Sequence, residues 1–285
     1  MTRIVGIYRE PECSPGRHRS NDTRLLERVA DALRGRAMDV DLMSIEEASN
    51  EALEDQAAVV LSMCQARQSL ERLARLEARG ARVVNRPRAA RNTYRDRLPA
   101  ILRSAGVRFP ATTLVETDGR NPRPIAVDGG IWLKRGDMHA SESADVQWIE
   151  STDDLLRALG AFRARGIARA ALQLHTVGEE VKFYGLADGS FFHWFHSGRN
   201  GRADPDADRL RRLVERSARA AGLDIFGGDV IVEPSGELTL IDLNDWPSFA
   251  PCRDEAADAI ADYVARRVDV VWNRALVSSA NESAV

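Results

Sequence analysis

The sequence predicts an α/β fold that passes into α+β along the chain, and three features carry that reading. Residues 1–86 alternate short apolar strands with amphipathic helices, the signature of an open, mostly parallel sheet. Asn85-Arg86-Pro87 then breaks the rhythm. Beyond it lie two hairpin signals, Asp188-Gly189 and Ser235-Gly236, set between long helical stretches. A chain of 285 residues is long enough for two or three lobes that share an extended core.

In the N-terminal unit, 1–86, Ile4–Tyr8, Asp39–Met43, Ala57–Ser62 and Arg82–Val84 read as strands. The helices between them are Asp22–Arg34 and Ser69–Arg79. Ligands of such sheets meet the loops at the carboxyl ends of strands. Here those are Arg9–Ser20, with Arg9, Arg17, His18 and Arg19, and Ser62–Gln68, with Cys64, Gln65 and Arg67, each of which fits either an anion-contact loop or a solvated polar one. The central unit, 87–168, begins with a helix over Ala89–Ala105, capped by Gly106. A strand Thr112–Val115, a Pro- and Gly-rich loop Asn121–Gly130 and a strand Ile131–Lys134 follow, then a helix Thr152–Arg165 capped by Ser151 or Thr152. The C-terminal unit, 169–278, holds strands Ala171–His175, Val181–Leu186 and Phe191–His196 and a helix Asp206–Ala221. A hairpin of Asp229–Glu233 with Leu238–Asn244 and a helix Asp254–Trp272 complete it, and 279–285 read as a disordered tail.

Composition removes several classes of function. Hydrophobic content of 44%, charged content of 29% and a net charge of -3 describe a globular protein without the basic excess of a nucleic-acid or membrane-surface binder. Three scattered cysteines make neither a disulfide framework nor a zinc pattern. No apolar run is long enough to span a bilayer, and Met1–Tyr8 reads as a strand rather than a leader, so a cytoplasmic location is expected. Of 40 basic residues only Lys134 and Lys182 are lysines. Those two positions either invite a job that suits a compact ammonium better than a planar guanidinium, such as contact with a phosphate, or are lysines by chance.

The hairpin carries the chemistry. Any even-length loop centred on Ser235-Gly236 pairs Asp229 directly with Asp242. Asn244 then joins the same face, and Val230, Val232, Ile241 and Leu243 form the opposite, apolar one. Carboxylates set directly across two strands repel unless a cation lies between them. Two Asp carboxylates with an Asn carbonyl form a hard oxygen set that suits Mg²⁺ shared with phosphate oxygens; an exposed hairpin of solvated acids is the alternative. Lys134 ends a strand and runs into the polar segment Arg135–Ser141, which fits either a phosphate contact or a solvated charge. His139 is a candidate substrate or phosphate contact, or a surface histidine. Lys182 sits on an apolar strand with Tyr184 on its own face, where it needs a partner or ligand, or reaches solvent at a sheet edge.

The run Gly-Gly-Asp229-Val-Ile-Val…Ile-Asp242-Leu-Asn244-Asp-Trp-Pro-Ser-Phe resembles the magnesium signature of the ATP-grasp superfamily. That resemblance implies ATP and one or two Mg²⁺ ions as cofactors. It implies an N-terminal pre-ATP-grasp α/β lobe and two α+β lobes that clamp the nucleotide. Lys134 takes the place of the family's lysine on the ATP phosphates, and Gln173-Leu174-His175-Thr176 that of the strand contacting adenine. Arg95 and Arg97 fall where a basic contact comes from the central lobe. Asp-Leu-Asn, His139 five residues after Lys134, and Lys182 in a chain that otherwise chooses arginine resemble the inositol trisphosphate/tetrakisphosphate kinases. So does Trp246-Pro247-Ser248-Phe249, although Ser248 replaces an expected glycine. This branch implies transfer of the γ-phosphoryl group to a hydroxyl of a small polar molecule, with Lys182, His139 and Arg199 facing that acceptor. The alternative branch is the carboxylate–amine ligases of the glutathione-synthetase-like group, which act through an acyl phosphate. A nucleotide-binding regulator without turnover is the third reading.

Overall fold

The computed structural model describes residues 3–14, 17–48, 59–120, 127, 130–138, 142–198 and 204–282, with the side chains of 17–20 and 269–282 excepted. Three four-stranded sheets organise the chain. The first holds β1 (Arg3–Ile7), β2 (Asp39–Met43), β3 (Val59–Ser62) and β4 (Arg82–Val84) in the order β2-β1-β3-β4, every neighbour parallel. Its middle strands read as near-continuous apolar runs because both faces are covered. Helix α1 (Arg17–Arg34) covers one face, with Leu25, Leu26, Val29 and Leu33 in its core. Helices α2 (Arg67–Ala78) and α3 (Pro87–Asn92) lie on the other, where Leu70, Leu73 and Leu76 meet Val5, Ile7 and Val60.

The expected helix over Ala89–Ala105 is two helices, α3 and α4 (Leu98–Ser104). Pro99 supplies the reason: its ring clashes with the carbonyl four residues back, that of Arg95. The Asp96 N–H turns away to donate to the Gly136 carbonyl at 2.9 Å. That break holds Arg95 against the central lobe.

The second sheet is antiparallel, in the order β5-β8-β6-β7, from β5 (Thr112–Glu116), β6 (Ile131–Arg135), β7 (Val146–Ile149) and β8 (Arg169–Gln173). Strand β7 lies in a stretch to which the sequence reading assigns no element; Val146-Gln147-Trp148-Ile149 is too short to announce itself without its partner β6. Helix α5 (Thr152–Ala164) starts on Ser151, whose hydroxyl accepts from the Asp154 N–H at 3.1 Å, and buries Leu155, Leu159 and Phe162 against this sheet.

The third sheet has the order β10-β9-β11-β12, from β9 (Glu179–Leu186), β10 (Phe192–His196), β11 (Ile225–Val232) and β12 (Leu238–Asp245). Helix α6 (Ala207–Ala221) begins on the Asp206 cap and ends on Gly222 at φ 80°, with Leu210, Val214 and Ala218 against the sheet. The last helix, α7, spans Arg253–Glu282 and runs past the expected end at Trp272. It returns to the first lobe, where Arg28 meets Asp254 at 2.8 Å and Arg36 meets Asp262 at 2.7 Å. No described helix is long and apolar enough to cross a membrane.

Candidate active site

The hairpin places Asp229 opposite Asp242, as expected, by a route the turn alone does not show. The loop is odd: Val232 pairs with Leu238, which leaves five residues, 233–237, between the strands. That register sets Val230 against Leu240, and a β-bulge between Asp229 and Val230 leaves Ile241 without a partner. One extra residue offsets one odd loop position, and the two aspartates meet. The bulge corrects the face assignment. Leu240, not Ile241, joins Val230, Val232 and Leu243 in the apolar core. Ile241 turns to the side of the aspartates and lines the cleft with them.

Gly228 makes the close approach possible. A Cβ there would stand 2.2 Å from the Asp242 carbonyl oxygen, and one on Gly227 would stand 2.7 Å from the Phe183 carbonyl oxygen. Asn244 faces Gly227 one step further along, half-buried and outside the lining of the cleft.

The cleft lies between the second and third sheets and holds about 400 Å³, within the usual size of small-molecule sites. Lys134, Trp132 and Gln173 enter from one side and Asp229, Asp242 and Lys182 from the other. A cavity of about 500 Å³ beside β3 and β4 is larger, but two of the three arginines that line it are already paired, Arg86 with Glu77 and Arg267 with Asp224.

Charge distribution in the cleft is specific. Lys182 stands directly across from Asp229 in the β9–β11 ladder and donates to its Oδ1 at 2.5 Å, with Glu180 Oε1 at 3.2 Å. Arg95 donates from Nη2 to Asp242 Oδ2 at 2.8 Å and from Nη1 to the Met138 carbonyl at 3.1 Å. Lys134 is buried, and among the described residues no carboxylate lies within 4.0 Å of its ammonium. Burial pushes its pKa down and Arg95 adds to that, against the pull of Asp242, Asp229 and Glu180. Burial also raises Asp229 to about 6; Lys182 opposes this and the Asp242 charge reinforces it. The Lys182 ammonium loses to burial but gains more from Asp229 and Glu180, and stays above its ordinary value. The two directions are compatible because Asp229 is the more buried partner, 18% against 37% exposed.

At the far end of the cleft, Gln173 is buried opposite Trp132, while Leu174 and His175 are exposed on its rim. His175 Nδ1 accepts from Trp132 Nε1 at 3.2 Å, and the Trp148 ring packs edge-on against both. Arg97 is not brought here: it precedes α4 as an exposed cap residue. The break that holds Arg95 over the cleft turns its second neighbour away. His139 and Arg199 lie outside the described residues. Trp132, Glu180 and Ile241 line the cleft without having been singled out by sequence. Trp132 and Glu180 each precede a lysine by two residues on a strand, so alternation alone could have found them. Ile241 could not be found without the bulge.

The residues fit a Mg²⁺-bound phosphate group in chemistry: two hard carboxylates side by side and a buried ammonium facing the same space. Among the described residues no group of three or more His, Cys, Asp or Glu side chains gathers as a metal site, in this cleft or elsewhere.

The Trp246-Pro247-Ser248-Phe249 segment has a packing role. Trp246 and Phe249 are fully buried in the core shared with α1 and α7, at φ 41° and 48°. Trp246 Nε1 donates to the Val84 carbonyl at 3.0 Å, and Arg9 donates to the carbonyls of Trp246 at 2.7 Å and Asp245 at 3.2 Å. Arg9, a candidate anion contact in sequence, is therefore committed to fixing the exit of the hairpin.

No family model and no curated protein matches the sequence. Solved structures do match in three dimensions. An ATP-grasp RimK domain protein from Sphaerobacter thermophilus aligns with a TM-score of 0.68 at 18% identity, over 92% of this chain and 99% of that one. D-alanine–D-alanine ligase from Bacillus anthracis, crystallised with ATP, aligns at 0.70 and 12% identity, over 96% and 99%. The ATP-grasp ligase PsnB, with its minimal precursor, aligns at 0.62 and 17%, over 93% and 98%. At these identities the likeness is one of fold. The chain has the ATP-grasp fold over nearly its whole length.

Proposed function

We propose that this chain is an ATP-dependent ligase that activates a carboxylate as an acyl phosphate and joins it to an amine. The observation that carries the reading is the aligned pair Asp229 and Asp242 facing the buried Lys134 across a cleft of nucleotide size. Two of the compared structures are ligases that align over 96% and 93% of this chain, and this supports the reading over phosphoryl transfer to a hydroxyl. The kinase reading rests on Asp242-Leu243-Asn244, on His139 five residues after Lys134, on Lys182 and on the aromatic pair Trp246 and Phe249. Of these, Lys182 stands opposite Asp229 as its charge partner and the aromatic pair fills the core, so these two features have reasons to be there that need no phosphorylated acceptor.

Asp229, Asp242 and Asn244 would hold Mg²⁺, which would supply positive charge to neutralise the phosphates. Lys134 and Arg95 position the triphosphate, and Gln173, Leu174, His175 and Trp132 enclose the base. Catalysis is then placement and electrostatics. A carboxylate oxygen attacks the γ-phosphorus and ADP leaves; the amine then adds to the acyl carbon and inorganic phosphate leaves. Hydroxylamine tests the assignment: with Mg-ATP and mixed carboxylic acids, trapped hydroxamate is the expected product. A phosphoester formed without any amine would overturn the ligase in favour of the kinase.

A further inference from the structure

The cleft balances its own charge: Arg95, Lys134 and Lys182 line it against Glu180, Asp229 and Asp242, three charges of each sign. The pairing within that balance is uneven. Asp229 carries Lys182 at 2.5 Å and Asp242 carries Arg95 at 2.8 Å, so each carboxylate of the cross-strand pair has a cationic side chain bound to it. Arg95 and Asp242 are 8% and 15% exposed at the side chain, where separating partners is costly. Capacity for an anion is left on the other side of the same groups. Among the described residues, Arg95 Nε is buried with no hydrogen-bond partner, and Lys134 has no carboxylate within 4.0 Å.

We propose that Arg95 and Lys182 are internal counter-ions that make metal binding at Asp229 and Asp242 conditional on a nucleotide triphosphate. A divalent cation entering alone must break both ion pairs and leave two cations beside it in a poorly solvated cleft. A triphosphate arriving with the metal supplies the anions to which Arg95 and Lys182 transfer, and both sets of charges stay paired. The metal and the nucleotide therefore bind with positive coupling, carried by side chains that exchange a carboxylate for a phosphate. This rests on the reading of Asp229 and Asp242 as metal ligands.

Mn²⁺ binding, followed by electron paramagnetic resonance or calorimetry on the full chain, tests it. Without nucleotide the wild type should bind Mn²⁺ weakly, and Arg95→Met and Lys182→Met should each tighten that binding by about tenfold. Arg95→Lys and Lys182→Arg keep the charge and should leave it as weak as in the wild type. The Met variants should bind the Mn²⁺ complex of AMPPNP less well than the wild type, the reverse of their effect on the metal alone. Met variants that bind Mn²⁺ no better than the charge-keeping pair, with circular dichroism showing all four folded, would overturn the counter-ion role. Asp242→Asn is the separate control: if it leaves Mn²⁺–AMPPNP affinity unchanged, the metal assignment itself fails, and the proposal with it.

Discussion

Lys134 and Lys182 show how differently two lysines serve one cleft. Lys134 is buried and, among the described residues, has no carboxylate close enough to pair with; a desolvated ammonium destabilises the fold unless a ligand supplies the anion. Lys134→Met should accordingly leave the melting temperature unchanged or raise it, while ATP affinity falls by roughly tenfold to a hundredfold, as loss of a charge-assisted contact implies. Calorimetric titration beside a thermal melt checks both halves; equal ATP affinity would remove Lys134 from the nucleotide site. Asp242→Ala belongs to the same scale. It should abolish ATP turnover, a loss on the order of 10²-fold or more, in a protein whose circular dichroism is unchanged.

At the scale of the element, the β11–β12 hairpin reaches the right pairing through two irregularities that offset each other. The odd loop of 233–237 and the bulge at Ile241 are each invisible in the charge pattern, yet together they set Asp229 against Asp242. Deleting Ile241 should produce a regular ladder with the aspartates still opposed, because the five-residue loop alone already sets the register of Val230 with Leu240. Metal-dependent turnover should survive the deletion, while KM for ATP rises because one apolar wall of the cleft is gone. Loss of all turnover in a folded deletion variant would refute this account of the register. Gly228→Ala acts in the opposite way. Its Cβ would meet the Asp242 carbonyl at 2.2 Å, so β12 must move at the functional position. A loss of about 1–3 kcal/mol in chemical denaturation, together with lost turnover, is expected.

Across the whole molecule, the lobes are joined through a few buried polar groups. Asn85 donates from Nδ2 to the Ile225 carbonyl at 2.6 Å and to Asp245 Oδ1 at 2.5 Å, and its Oδ1 accepts from the N–H groups of Asp224 at 2.7 Å and Ile225 at 2.8 Å. Asn85→Ala would strand those partners in the interior and should cost about 2–4 kcal/mol in urea unfolding. A variant as stable as the wild type would show that the lobes are held by their apolar contacts alone. Local pattern was enough to read much of this protein. The 2-residue and 3.6-residue periodicities placed nearly every strand and helix, the caps at Ser151 and Gly106 marked helix ends, and the acids around Ser235-Gly236 pointed to a candidate site. Such signals act over a few residues, so a sequence carries them on its face. Other features needed the folded chain. Strand β7 exists because β6 lies beside it, and the break before Leu98 matters because it holds Arg95 over Asp242, a residue 147 positions away. Lys182 reads in sequence as an acceptor contact and stands in the ladder as the partner of Asp229. The identity of a charge was set by the sequence; what it pairs with was decided only where tertiary packing brought distant strands together and excluded water from between them.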